Sequence, residues 1–339
     1  MAISSALGSS ALLPAGLGFR NVLINGGFDV WQRGTSITGI NNVTSYAADR
    51  WCIFRSLAAN YTLSRQAMVP SELSGFNYCA RFQRTAGDTS VANLYLGRTF
   101  ESITITPLAG KTVTLSFYAR KGANFSGSIL DTQIEFGGGT DLPFLTQPTS
   151  ASVTNISTTL TTSWQYVTRT VIVPTNATAA RILINYVPSG TAGAADYFEI
   201  TGVQLEANLQ PTPFEQRPIG VELQLCQRYF WSLTTRGQGQ IMGAQVSAYG
   251  NACYLNISNL NPVPMRIAPT PQTDPNYPIG TYTPFVTDFN SNLRTITAIN
   301  LSSPYMIQFV YNSTQLTANS SMGLNFADAN RTLWLSAEL

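Results

Sequence analysis

Short segments in which apolar and polar residues alternate recur along most of the chain. Over residues 112–119, Val, Leu, Phe and Ala occupy every second position, which places them on one face of a β-strand. Comparable segments lie at 166–173, 181–187 and 197–205, separated by Gly, Pro and Asn. Strands at this spacing are typical of an antiparallel sandwich. The pattern therefore predicts an all-β fold with a β-sandwich domain over residues 21–210.

Three prolines between residues 211 and 218 interrupt this pattern. They predict a proline-rich linker followed by a short helix, which together span residues 211–231. The helix is predicted at 219–231, with apolar residues at a four-three-four spacing: Ile219, Leu223, Cys226 and Phe230. This spacing fits either a helix packed on its own domain or the seam of a short coiled coil between subunits. A helix this short cannot hold subunits together alone. Alternation then resumes and predicts a smaller C-terminal β domain at 232–339.

Three blocks of the sequence carry a family resemblance. They lie at 21–51, which begins Asn-Val-Leu-Ile-Asn-Gly-Gly-Phe-Asp-Val-Trp-Gln-Arg-Gly, at 110–124 and at 197–230. Together they resemble a β-sandwich domain of tailed-phage structural proteins, especially tail fibres and other host-facing appendages. The resemblance implies a jelly-roll-like sandwich, similar to carbohydrate-binding modules, and a homotrimer. It also implies a protein that assembles in the host cytoplasm and works on the virion outside it.

The first 20 residues contain four leucines and a single charged residue, Arg20. They fit either a flexible terminus or a peptide that becomes ordered when it docks to a partner. Because phage appendages usually attach through their N-terminus, the resemblance favours docking to other virion proteins. Neither a signal peptide nor a run long enough to cross a membrane is predicted.

Composition argues against several classes of function. Only 11% of the residues are charged and the net charge is +2, so there is no electrostatic footprint for nucleic acid. The absence of histidine removes the commonest general base and all His-ligated zinc sites. The four cysteines, at positions 52, 79, 226 and 253, lack zinc-type spacing and are expected to be buried thiols.

Some phage appendages degrade glycans, and glycosidases work with a pair of carboxylates. Asp131, Glu135 and Asp141 share one segment, but the first two would lie about 13 Å apart on a strand. Glycosidase pairs need about 5 to 9.5 Å. We therefore predict that the protein is not an enzyme. A glycan-degrading appendage enzyme is a less favoured alternative to the binding role described below.

Carbohydrate binding suits the composition better, because sugar rings stack on aromatic side chains and sugar hydroxyls bond to amides. Candidate glycan-binding residues are Tyr46 and Trp164 in the sandwich, with Tyr277 and Tyr282 in a loop of the C-terminal domain. Trp31 and Trp51, in the first block, are instead expected to be core residues.

A structural calcium ion is a further candidate, because sandwiches of similar outline often hold one between their first and last strands. Oxygen ligands suited to calcium would be Asn25, Asp29, Glu199 and Glu206. The alternative is that these are ordinary hydrogen-bonded polar residues. No other cofactor is expected.

These observations predict a tail-fibre or appendage subunit that attaches through residues 1–20 and presents β domains to a host-surface glycan. The main alternative is a head-decoration or tail-wall protein with a purely architectural role.

Overall fold

The computed structural model describes residues 19–38, 45–55, 61–234, 241–249, 252–258, 263–272, 285–288, 293–303, 306–312, 321–325 and 332–339. Most of the predicted docking peptide, together with Tyr277 and Tyr282, lies outside these ranges.

Two antiparallel six-stranded sheets form the sandwich. In spatial order, the first sheet contains β1 (Ser36–Thr38), β4 (Tyr61–Ala67), β5 (Tyr78–Arg84), β12 (Tyr197–Glu206), β7 (Thr112–Lys121) and β10 (Gln165–Ile172). The second contains β2 (Ser45–Tyr46), β3 (Cys52–Arg55), β6 (Leu94–Thr99), β11 (Ala179–Tyr186), β8 (Leu130–Gly138) and β9 (Thr149–Thr158). A short helix, α1 (Ser102–Ile105), and a 3-10 turn (Thr106–Leu108) join β6 to β7. The predicted all-β sandwich is confirmed.

The core between the sheets follows the alternation seen in the sequence. On β7, Val113, Leu115, Phe117 and Ala119 are completely buried in one cluster with side chains of the second sheet, such as Ile182 of β11. The intervening residues of β7 must then lie on the outer face of the first sheet. That outer face is where the candidate site lies.

The 21–51 block is a structural junction. The Asn21 side chain accepts hydrogen bonds from the backbone of Leu23 and Leu205 and donates to the Val203 carbonyl. Gly26 lies so close to β12 that a Cβ would stand 2.0 Å from the Val203 carbonyl oxygen. This proximity explains why the position has no side chain.

Both tryptophans of this block are buried, as predicted: Trp31 is 8% exposed and Trp51 0%. Their indole nitrogens donate to the backbone carbonyls of Phe28 and Asn25. The 197–230 block completes the junction, since Arg217 donates to the Leu23 carbonyl. Two of the sequence blocks that carry the family resemblance are therefore in direct contact.

Helix α2 (Ile219–Gln227) is shorter than predicted, because the chain turns into strand β13 (Phe230–Thr234). Cys226 and Phe230 are completely buried within the chain, Leu223 is half-buried and Ile219 is 61% exposed. The burial of Cys226 and Phe230 fits the alternative of a helix packed on its own domain. A seam between subunits stays a prediction, as does the homotrimer itself.

Strand β13 pairs with β21 (Thr332–Ser336), which also pairs with β16 (Thr270–Gln272). Between β13 and β21 in sequence, six strands form a closed antiparallel sheet. In spatial order these are β14 (Ile241–Tyr249), β15 (Ala252–Ser258), β19 (Met306–Asn312), β18 (Leu293–Ser303), β17 (Phe285–Asp288) and β20 (Ser321–Asn325).

The residues after β21 return to the sandwich. The Glu338 carboxylate pairs with Arg33 and Arg50, and the Tyr46 hydroxyl donates to the Leu339 carbonyl. We call this contact the C-terminal clamp. Across the described ranges, no helix has the length and apolar character needed to cross a membrane.

Candidate functional site

A row of aromatic rings crosses the outer face of the first sheet. Tyr118 of β7 is in register with Tyr166 of β10, and their ring centroids are 4.8 Å apart. Phe76, from the loop before β5, contacts Tyr118 edge-on at 5.5 Å and Phe214 at 5.3 Å. These four residues form the aromatic row, and Tyr166 is 44% exposed.

A glycine allows the rings to lie against the sheet. Gly202 sits at an irregularity of β12 between Thr201 and Gln204, with φ of 63°. A Cβ at Gly202 would be 2.7 Å from the Phe76 ring and 3.2 Å from Tyr118. Only glycine adopts this backbone conformation at little cost and also leaves room for the rings.

Beside the row lies a cleft of about 310 Å³, lined by Ser116, Tyr118, Tyr166, Gly202 and residues 211–214. This volume is at the lower end of the range for small-molecule sites, about 300 to 1,000 Å³. The lining residues supply aromatic surface and hydroxyl groups, and none of them is an acid, a lysine or an arginine.

Residues 211–214 form one wall of the cleft. The backbone N–H and hydroxyl of Thr212 each donate to the Glu206 carboxylate at 2.7 Å. The Gln204 amide donates to the Thr212 carbonyl, and Gln204 accepts from the Glu215 N–H. Because these bonds all lie within the protein, they fix the path of the wall.

Two arginines on the same face of the first sheet, Arg81 and Arg120, are paired with carboxylates. The Glu199 carboxylate accepts from Arg81 and Arg120, with shortest distances of 2.5 Å to each, and Arg120 also pairs with Glu72 at 3.0 Å. Burial, reinforced by the neighbouring Tyr166, raises the pKa of Tyr118. Its hydroxyl therefore stays protonated near neutral pH and can donate a hydrogen bond.

The two sandwich residues predicted to bind glycan lie in different places. Trp164 is half-buried just before β10, with the Arg120 guanidinium carbon 4.8 Å from its ring centroid. Tyr46 belongs to the second sheet, in the C-terminal clamp. Sequence reasoning missed the aromatic row, although the alternation on β7 already placed Tyr118 on the face opposite the core.

The predicted calcium ligands have other partners. The Asn25 amide donates to two backbone carbonyls of its own junction, Glu199 accepts from the two arginines, and Glu206 holds the wall. Burial raises the pKa of Asp29. Among the described residues, no three His, Cys, Asp or Glu side chains are grouped to hold a metal ion.

The three carboxylates of the 131–141 segment, which a glycosidase hypothesis would pair, also have structural partners. Asp131 accepts from the Ser157 hydroxyl, and Glu135 pairs with Arg181 at 2.5 Å. Asp141 accepts from the Ser102 N–H at the start of α1.

Neither a protein-family model nor a curated protein matches the sequence. Among solved structures, the chain is similar to the enzymatically active domain of tailspike protein 4 of bacteriophage CBA120. The identity is 15%, over 56% of this chain and 22% of that chain, with a TM-score of 0.36. This chain thus spans under a quarter of the tailspike chain's length.

Similarity also extends to the CBM22-1 xylan-binding domain from Paenibacillus barcinonensis, at 9% identity over 50% of this chain and 92% of that chain, with a TM-score of 0.31. An arabinose-bound α-L-arabinofuranosidase is similar at 15% identity over 52% of this chain and 27% of that chain, with a TM-score of 0.30. At such values these are partial likenesses, and they carry no argument about ligand or reaction.

Proposed function

We propose that this protein is a structural subunit of a tailed-phage appendage, such as a tail fibre, and that its sandwich binds a host-surface glycan in the cleft beside Tyr118 and Tyr166. The observation that carries the binding role is the aromatic row next to a cleft lined by aromatic rings and hydroxyl groups. The resemblance of the 21–51, 110–124 and 197–230 blocks supports the virion role.

The chemistry of the cleft suits a sugar. The apolar face of a sugar ring can stack on the exposed Tyr166 ring, as apolar surface does on aromatic side chains. The hydroxyls of Ser116 and Tyr118 can donate to or accept from sugar hydroxyls. No step of bond cleavage is needed, so the role proposed is binding without catalysis.

The test is binding of the full chain to an array of bacterial O-antigen and capsular polysaccharides. Loss of one stacked ring costs on the order of 1 kcal/mol, so Tyr166→Ala should weaken binding about fivefold to tenfold at a single site. Tyr95→Ala is the matched control, because Tyr95 is a half-buried tyrosine on the outer face of the second sheet.

Equal binding by the Tyr166→Ala variant and the unchanged protein would contradict this site. Failure of the protein to bind any glycan on the array would favour the architectural alternative, a head-decoration or tail-wall protein.

A further inference from the structure

The cleft is closed at one end. Along β7 and β10 the outward side chains form rows in register: Tyr118 with Tyr166, then Ser116 with Thr168, then Thr114 with Thr170. The third row is bridged by the chain, because the Thr114 and Thr170 hydroxyls donate to the carbonyls of Asn208 and Leu209 at 2.7 and 3.3 Å. Thr114 is buried beneath this segment and Thr170 is exposed. Residues 208–209 therefore cross both strands directly beyond the cleft.

The neighbouring side is closed as well. From residue 209 the chain turns back as the 211–214 wall and ends against Phe76, which contacts Phe214. Phe214 in turn packs against the backbone at Gly27, where a Cβ would be 3.5 Å from its ring. A polymer chain cannot continue along β7 past residues 208–209, or past the 211–214 wall, without displacing this hydrogen-bonded segment.

The charges around the cleft disfavour an anionic ligand. Arg81 and Arg120 are already paired with Glu199 and Glu72, and the buried Glu206 lies directly behind the wall. A carboxylate or phosphate entering the cleft would lose hydration, and none of the residues that line the cleft is a cation. Burying an unpaired charge is strongly unfavourable.

We infer, building on the proposed function, that the cleft binds the uncharged terminal sugar of a glycan and does not bind internal or acidic residues. The closed end sets the preference for a chain terminus, and a lining without cations sets the preference for a neutral sugar. Tyr166 supplies the stacking surface, and the wall supplies the fixed boundary.

The experiment uses the full chain on an array of matched glycans, in which the same neutral sugar is either terminal or capped by a further residue. Soluble methyl glycosides of neutral hexoses, 6-deoxyhexoses, N-acetylhexosamines and uronic acids serve as competitors. We expect at least tenfold weaker binding to each capped glycan, and competition by a neutral methyl glycoside but by no uronic acid. Tyr166→Ala should reduce this binding, whereas Tyr95→Ala should not.

Three results would overturn the inference. Binding that depends on Tyr166 but is equal for capped and terminal sugars would refute the closed end while leaving glycan binding intact. Tyr166-dependent binding that prefers uronic acids would refute the neutral preference in the same way. Absence of binding to every glycan would remove the proposed function itself, and the inference with it.

Discussion

The C-terminal clamp should be a major source of stability for the sandwich, although Glu338 lies 288 residues from Arg50 in the sequence. The Glu338 side chain is 6% exposed and pairs with Arg33 and Arg50, which are 5% and 2% exposed. Burial alone would lower the pKa of Arg50, but the Glu338 carboxylate raises it above its ordinary value. The substitution Glu338→Ala, which removes this carboxylate, tests how much the clamp stabilises the fold.

The expected cost follows from what the substitution leaves behind. Two guanidinium groups would stay buried without their carboxylate, and breaking a buried pair in this way costs about 3–5 kcal/mol. The Tyr229 ring, 3.5 Å from the Arg50 guanidinium carbon, offsets a small part of this loss. For a unit of this size, such a loss corresponds to a melting temperature lower by about 6–20 °C.

Thermal unfolding followed by tryptophan fluorescence measures this loss, because Trp31 and Trp51 are buried in the sandwich. The matched control is Glu72→Ala, which removes a carboxylate that is 41% exposed and pairs with Arg120. An exposed pair contributes about 0–1 kcal/mol. If Glu338→Ala destabilises the protein no more than Glu72→Ala does, the argument from burial is refuted.

Burial raises the pKa of Asp49 to about 6, above the ordinary 3.8, so the folded state binds this proton more tightly than the unfolded state does. The free energy of unfolding should therefore fall by on the order of 3 kcal/mol as the pH rises from about 4 to 6. Urea unfolding across this pH range should show the decrease, and Asp49→Asn should remove most of it. Gly26→Ala should destabilise the protein by more than about 2 kcal/mol, because the new Cβ would lie 2.0 Å from the Val203 carbonyl oxygen. Gly220→Ala is the control: no atom lies within 4 Å of a Cβ at that position, so it should be neutral or stabilising in the same unfolding assay. Deleting residues 1–20 should leave a soluble protein that no longer joins virions, and incorporation of the shortened protein would contradict this. Light scattering should give a trimer mass, and a monomer at micromolar concentration would count against the homotrimer.

The sequence alone was sufficient for the all-β class, for four strands of the sandwich (β7, β10, β11 and β12) and for part of the core. Alternation over 112–119 correctly placed Val113 to Ala119 in the interior, because the two-residue period of a strand is a local property of the chain. The burial of Trp31 and Trp51 was also predicted correctly. The end of helix α2 was predicted wrongly, because the apolar spacing extended the helix to residue 231. In the structure, residues from Phe230 onward pair instead as β13 with β21, about 100 residues later in the chain.

Only the tertiary structure decided which distant residues meet. The aromatic row draws Phe76, Tyr118, Tyr166 and Phe214 from four separate segments, and their proximity depends on the register of β7 with β10 and on the path of the 211–214 wall. The C-terminal clamp likewise joins the two ends of the described chain. Such contacts depend on how whole sheets pair and pack, and local residue patterns carry no information about that pairing.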